Sequence, residues 1–121
     1  MKSQRKRLLK NLLKNKRFLK KIDIELYNTK RYKNNYSIIM FEIEDNYKYV
    51  KMIKNELRFS DSVLKIEEFF FIFLPFTCKN GAEVVAKSFQ SGIEEIKDNY
   101  FFVNLKNIEN KNELIKKIVN Y

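Results

Sequence analysis

The sequence predicts an α+β domain: an antiparallel four-stranded sheet with helices on one face, preceded by a basic helix. The decisive stretch is 58–75, RFSDSVLKIEEFFFIFLP, where the half-alternating run Ser62–Ile66 meets the most apolar run of the chain, 69–74, with Glu67 and Glu68 at the join. This pattern describes a β-hairpin with two carboxylates at its tip. Six apolar, aromatic-rich residues are too few for a helix or a membrane span and suit a strand buried on both faces. Helix-period segments flank this hairpin on both sides, and 121 residues suffice for one domain whose core needs no staples.

Taken in order, Ser3 is a candidate cap for a helix whose apolar residues Leu8, Leu9, Leu12, Leu13, Phe18, Leu19, Ile22 and Leu26 recur at three- and four-residue spacing. Residues 15–33 read as one amphipathic helix, adjoining the more basic turns before it. Asn34 and Asn35 form a turn into a buried strand, YSIIMFE at 36–42, and Glu42, Glu44 and Asp45 cluster where it ends. A helix over 47–58 presents Val50, Ile53 and Leu57 on one side. The hairpin follows and stops at Pro75, which cannot donate to a ladder. After a loop at 77–81, the pattern predicts a helix over 82–97 with Val84, Val85, Phe89, Ile93 and Ile96 inward. A strand at 100–105 and a helix at 111–120, using Leu114, Ile115 and Ile118, complete the chain. Helix, then β-α-β-β-α-β, then helix is the split βαβ, ferredoxin-like arrangement.

Alternation puts Phe69, Phe71 and Phe73 on one face of the sheet and Phe70 on the other. RNA-binding sheets of the same topology stack bases on such aromatics. An uncovered face with three phenylalanines would be sticky, so burial beneath the N-terminal helix or a second chain is the expectation.

Composition narrows the chemistry. With no His, any acid–base or metal chemistry falls to carboxylates and one thiol. The single Cys78 excludes an internal disulfide and predicts a reducing, cytoplasmic setting. Lys10 and Lys14 interrupt the leucines at 8–13 before they resemble a signal peptide, and no apolar run is long enough for a bilayer. Charge is unevenly placed: residues 1–21 hold ten Lys/Arg and no Asp/Glu, whereas 22–121 hold fifteen of each, so the net +10 belongs to the first 21 residues. This basic segment, 1–21, is read as a helical extension of the body, 22–121. It suits nucleic acid, an acidic surface or an acidic partner.

Several short segments are similar to a known family. Asn15-Lys16-Arg17-Phe18 and Thr29-Lys30-Arg31-Tyr32 match its N-R-R and A-K-R-Y, and Ile38-Ile39-Met40-Phe41-Glu42-Ile43-Glu44 falls on its strand ending in D-x-D. Tyr47-Lys48 resembles its F-K, displaced by one residue. Arg58-Phe59-Ser60-Asp61 reproduces R-x-x-D, and Leu74-Pro75-Phe76-Thr77 with Ala82 and Ala86 follows its L-P-x-T and alanine-bearing helix. In this order, over about 13–100, the chain resembles a GGDEF domain, the diguanylate cyclase fold.

The resemblance implies a Mg²⁺ held by the D-x-D and signature carboxylates, and glycines that let the backbone approach GTP phosphates. Here the signature reads Lys65-Ile66-Glu67-Glu68-Phe69-Phe70. Both glycines are absent, a Cβ stands where phosphate would lie, and an added carboxylate repels it. Glu42 in place of Asp moves a ligand outward by a methylene, and the guanine-reading segment between Lys48 and Arg58 is replaced by one plain helix. The expectation is therefore a catalytically inactive GGDEF-like domain, a regulatory, ligand-binding or dimerisation module in cyclic-dinucleotide signalling.

The resemblance carries the product-binding inhibitory motif onto Arg58 and Asp61, with cyclic di-GMP as ligand and a protein or a second copy as further partners. R-x-x-D at a helix-to-strand turn also suits a local ion pair. No cofactor is required; a residual Mg²⁺ site would use Glu42, Glu67 and Glu68, the alternative being solvated strand-end carboxylates. A second expectation is a small nucleic-acid-binding protein using Arg5, Lys6, Arg7, Lys10, Lys14 and Arg17. A third, an enzyme acting on another nucleotide through its glutamates, rests on fold-level analogy with polymerase palms.

Overall fold

The computed structural model describes residues 2–43, 48–94 and 96–121. The N-terminal helical pattern folds as two helices, α1 (Lys2–Lys14) and α2 (Lys16–Tyr32), the second being the helix expected over 15–33. Asn15 divides them: its backbone is extended, and its Oδ1 accepts from the Phe18 N–H at 2.9 Å, satisfying a donor that the first turn of α2 leaves unpaired. At the other end Lys33, at φ 55, closes α2 in the left-handed conformation.

Strand β1 (Tyr36–Ile43) leads through α3 (Lys48–Glu56) to β2 (Ser62–Ile66), which turns tightly into β3 (Phe69–Pro75). Helix α4 (Lys79–Gly92) then leads to β4 (Ile96–Asn104), and a single 3₁₀ turn, Leu105–Asn107, precedes α5 (Lys111–Asn120). The four strands form one antiparallel sheet in the order β2-β3-β1-β4. In register, Phe41 faces Phe70 and Glu42 faces Phe69, which brings the end of β1 beside the hairpin tip.

The two central strands, β1 and β3, are apolar on both faces, and the core accordingly has two halves. On one side Ile39, Phe41, Phe70, Ile72 and Leu74 pack against Tyr49 and Ile53 of α3 and Ala82, Ala86 and Phe89 of α4. These crossover helices share one face, as expected. The opposite face is also covered, so helices lie on both sides of the sheet. There α1 supplies Leu8 and Leu12, α2 supplies Phe18, Ile22 and Leu26, and α5 supplies Leu114, Ile115 and Ile118. Phe69, Phe71 and Phe73 lie buried beneath this layer, with the Phe18 ring centroid 5.1 Å from that of Phe71. They are core residues, as their expected burial required. Positions 21 and 22 sit mid-way along α2 with no break between them.

Helix α4 corrects the expected register. It starts earlier, capped by Cys78, whose Sγ accepts from the Gly81 N–H, and it ends at Gly92. Its buried side is Ala82, Ala86 and Phe89, while Val84 is 68% exposed and Val85 half-buried. Small alanines let the helix lie close to the sheet, which outweighs the greater hydrophobicity of the valines. Ile96 belongs to β4, which begins four residues before the expected strand at 100–105. No helix among the described residues is long and apolar enough to cross a membrane.

Phe71 is fully buried beneath the layer formed by α1, α2 and α5. Denaturant unfolding of Phe71→Ala is expected to show a loss of about 3–5 kcal/mol. Val84→Ala should change stability by no more than about 0.5 kcal/mol; a large loss there would contradict the register of α4.

Candidate functional site

At the hairpin tip, Glu67 holds φ 53, a conformation that glycine adopts freely and that costs another residue about 1–2 kcal/mol. Arg7 reaches this tip from α1. Its Nη2 donates to Glu68 Oε1 at 2.7 Å, and its Nε lies 3.4 Å from Glu67 Oε2. The hydrogen bond to Glu68, then the charges of Glu68 and Glu67, raise the Arg7 pKa above its ordinary value; Glu42 adds a smaller effect in the same direction. The structure thus gathers Glu42, Glu67 and Glu68 at one end of the sheet, and a guanidinium sits where the sequence suggested a cation. Among the described residues no group of three His, Cys, Asp or Glu has the geometry to hold a metal ion. Glu44, Asp45 and Tyr47 lie outside the described residues.

Arg58 and Asp61 occupy the opposite end of the sheet, between α3 and β2. The Asp61 side chain is 3% exposed and accepts from the Arg58 backbone N–H at 3.0 Å, from Nε at 3.0 Å and from Nη2 at 2.8 Å. Arg58 Nη2 also donates to the Pro75 carbonyl at 2.9 Å and to Thr77 Oγ1 at 2.7 Å. The buried Ser37 hydroxyl donates to the Thr77 carbonyl at 2.7 Å. The R-x-x-D pair therefore staples the α3–β2 loop to the ends of β3 and β1. Its hydrogen bond to Asp61 raises the Arg58 pKa, partial burial opposes this, and the Asp61 charge adds to the rise. A guanidinium fork with several acceptors at hand suits this geometry, which one ammonium cannot reproduce.

The basic residues form a surface larger than the sequence indicated. Lys6, Lys10, Lys14 and Arg17 are exposed, as is Arg7 at its edge, and the Arg5 side chain lies outside the described ones. Helix α5 packs beside α1 and adds the exposed Lys116 and Lys117. Together α1, α2 and α5 carry fifteen Lys/Arg against three Asp/Glu, a net +12 in one layer, which leaves the rest of the chain at −2. Local charge counting missed α5 because its adjacency to α1 is created only by the fold.

A cleft of about 270 Å³ opens between the C-terminal half of α2 and the ends of β1 and β3. Glu25, Asn28, Thr29, Tyr32, Tyr36 and Phe76 are among its lining residues. Thr29 Oγ1 and Tyr36 Oη are buried with no hydrogen-bond partner. Burial, and then the Glu25 carboxylate near it, push the Tyr36 phenol far above its ordinary value of 10.0. No hydrogen bond of ordinary geometry closes between Glu25 and Tyr36 Oη, although the carboxylate acts on the phenol as a nearby acceptor. Nothing in the periodicity marked this cleft, since Thr29 reads as a helix position and Tyr36 as the first residue of a strand.

Comparison with protein families, curated proteins and solved structures finds no match for this chain.

Removing the Arg58 fork leaves a buried carboxylate poorly paired, so Arg58→Ala is expected to cost about 1–3 kcal/mol in chemical denaturation. Arg58→Lys should recover only part of that loss, and full recovery would contradict the fork. The Tyr36 phenol keeps its proton in the folded chain, whereas the unfolded chain ionises it as pH passes about 10. Its contribution to stability is therefore complete below that pH and lost above it. Tyr36→Phe should reduce the alkaline fall in melting temperature without lowering stability at neutral pH, where it deletes only an unpartnered hydroxyl; an unchanged alkaline slope would refute the assignment.

Proposed function

We propose that the chain is a catalytically inactive GGDEF-like domain of ferredoxin-like layout, acting as a regulatory, ligand-binding or dimerisation module in cyclic-dinucleotide signalling. The Arg7 clamp on Glu67 and Glu68 carries this reading. Cyclase chemistry requires the signature carboxylates to face metal and phosphate, and here a guanidinium engages them instead. Glu67 also brings a side chain to the strained tip where the family has glycine, which blocks close backbone approach to phosphate. The order β2-β3-β1-β4, with α3 between β1 and β2 and α4 between β3 and β4, supports the ferredoxin-like layout.

In this reading cyclic di-GMP, a protein or a second copy of the chain is the partner, and Arg58 with Asp61 is the ligand-recognising pair. The guanidinium is half exposed, so a ligand can share it while Asp61 stays in place. No metal is required in this reading. The one cysteine, exposed Cys78, accords with a reducing cytoplasm.

The charge of the α1–α2–α5 layer favours a second reading, a nucleic-acid-binding module using Lys6, Arg7, Lys10, Lys14 and Arg17, with Lys116 and Lys117 of α5 extending the surface. Arg5 belongs to the same segment by sequence.

A thermal-shift series separates these readings. Cyclic di-GMP at one hundred times its dissociation constant should stabilise the chain by roughly 2.7 kcal/mol, and Arg58→Ala should abolish the shift. GTP with Mg²⁺ should yield no cyclic di-GMP; turnover that Glu42→Ala removes would refute the inactive reading. For single-stranded nucleic acid, log affinity should fall linearly with log salt, at about −0.7 per phosphate neutralised. A Lys10→Glu/Lys14→Glu variant should flatten that slope, and salt-independent or absent binding would dispose of the second reading.

A further inference from the structure

We propose that the cleft between α2 and the ends of β1 and β3 binds a planar, amino-bearing heterocycle of the nucleobase type. This goes beyond the reading above and uses neither Arg58 nor Asp61.

Two aromatic rings flank the cleft, Tyr32, 60% exposed with the Arg31 guanidinium 5.6 Å from its ring centroid, and Phe76, 71% exposed. Phe76 stands out further because its backbone is left-handed, at φ 58, which costs a non-glycine residue about 1–2 kcal/mol. A strained residue that holds a large ring out into water gains nothing from the core, and such outliers cluster at ligand sites. Stacking on exposed rings is a general way to hold a flat base.

The floor supplies a second, independent observation. Thr29 and Tyr36 are 3% and 6% exposed, and neither hydroxyl closes a hydrogen bond of ordinary geometry, with only the Glu25 carboxylate of the cleft wall acting on Tyr36 Oη as a nearby acceptor among the groups lining the cleft. A buried polar group without a partner costs about 1–3 kcal/mol, so two beneath one cleft point to a polar guest.

The polar wall selects the kind of guest. Glu25, whose side chain is 15% exposed, is held by Lys21 at 3.5 Å and by a long contact from Asn28 Nδ2 at 3.5 Å. It is a fixed acceptor that calls for N–H donors. Among the described residues no lysine or arginine lines the cleft, so it offers a phosphate group no cation, whereas Lys33 lies exposed just beyond Tyr32. At about 270 Å³ the space is just under the roughly 300–1,000 Å³ of drug-sized pockets. One flat ring system fits that size, with its amino edge toward Glu25, its faces between the aromatics and any phosphate directed outward.

The base could come from a free nucleotide or from a strand, and an amide-shift NMR titration of the full chain distinguishes the two. The probes are AMP, CMP, UMP, ribose 5-phosphate and a short mixed-sequence single-stranded oligonucleotide. AMP and CMP are expected to shift amides at 25–36 and 75–77, with UMP, which lacks an amino group, about tenfold weaker and ribose 5-phosphate silent. Glu25→Gln and Phe76→Ala should each weaken AMP about tenfold while leaving the remaining spectrum in place. Shifts at those residues from the oligonucleotide alone assign the base to a strand, and shifts with AMP assign it to a free nucleotide. Equal response to AMP, UMP and ribose 5-phosphate overturns the proposal. So does indifference to both substitutions, shifts confined to the basic helices, or no response at millimolar concentration.

Discussion

Because β1 and β3 are apolar on both faces, neither side of the central pair can be left in water, and the chain must supply two helical layers. The crossover helices α3 and α4 cover one face by virtue of the connections they make. The other face recruits elements from both ends of the chain, α1 and α2 from the N-terminus and α5 from the C-terminus. Phe18 against Phe71 is the centre of that second layer. The basic N-terminal segment is therefore part of the core as well as of the surface, with Leu8, Leu12 and Phe18 inward and its lysines outward.

That arrangement gives the two arginines at opposite ends of the sheet different work. Arg58 acts within its own neighbourhood, binding an acid three residues away and reaching across to the end of β3. Arg7 acts over a long separation in sequence, and its partners sit at the strained hairpin tip. Docking α1 on the sheet is what delivers Arg7 there, so core packing and the occupation of Glu67 and Glu68 form one structural event. A chain that lost the hydrophobic contacts of Leu8 and Leu12 would lose this ion pair as well.

The sequence made the strongest patterns legible. The hairpin, its two-glutamate tip, the first strand and the last helix follow from apolar runs and their punctuation, and the structure places them within a residue or two. What it concealed had specific causes. Asn15 stands at the expected start of the second helix, but its capping role emerges only once the backbone leaves the helix. Ala82 and Ala86 are weakly apolar and were outweighed by Val84 and Val85, although proximity to the sheet favours the smaller residues. R-x-x-D admitted a local ion pair from the start, and its geometry adds acceptors on Pro75 and Thr77 that no local pattern could indicate. The Arg7 clamp, the α5 lysines beside α1 and the unpartnered hydroxyls of Thr29 and Tyr36 all depend on long-range juxtaposition.

The segregation of charge has a consequence for how the molecule travels. With +12 on one helical layer and −2 on everything else, the protein is an electric dipole as well as a cation. Approaching any anionic surface, it experiences a torque before it makes contact, effective over a screening length of about 8 Å at physiological salt. It turns its helical layer forward and arrives with the sheet behind, so that its first encounters are already oriented.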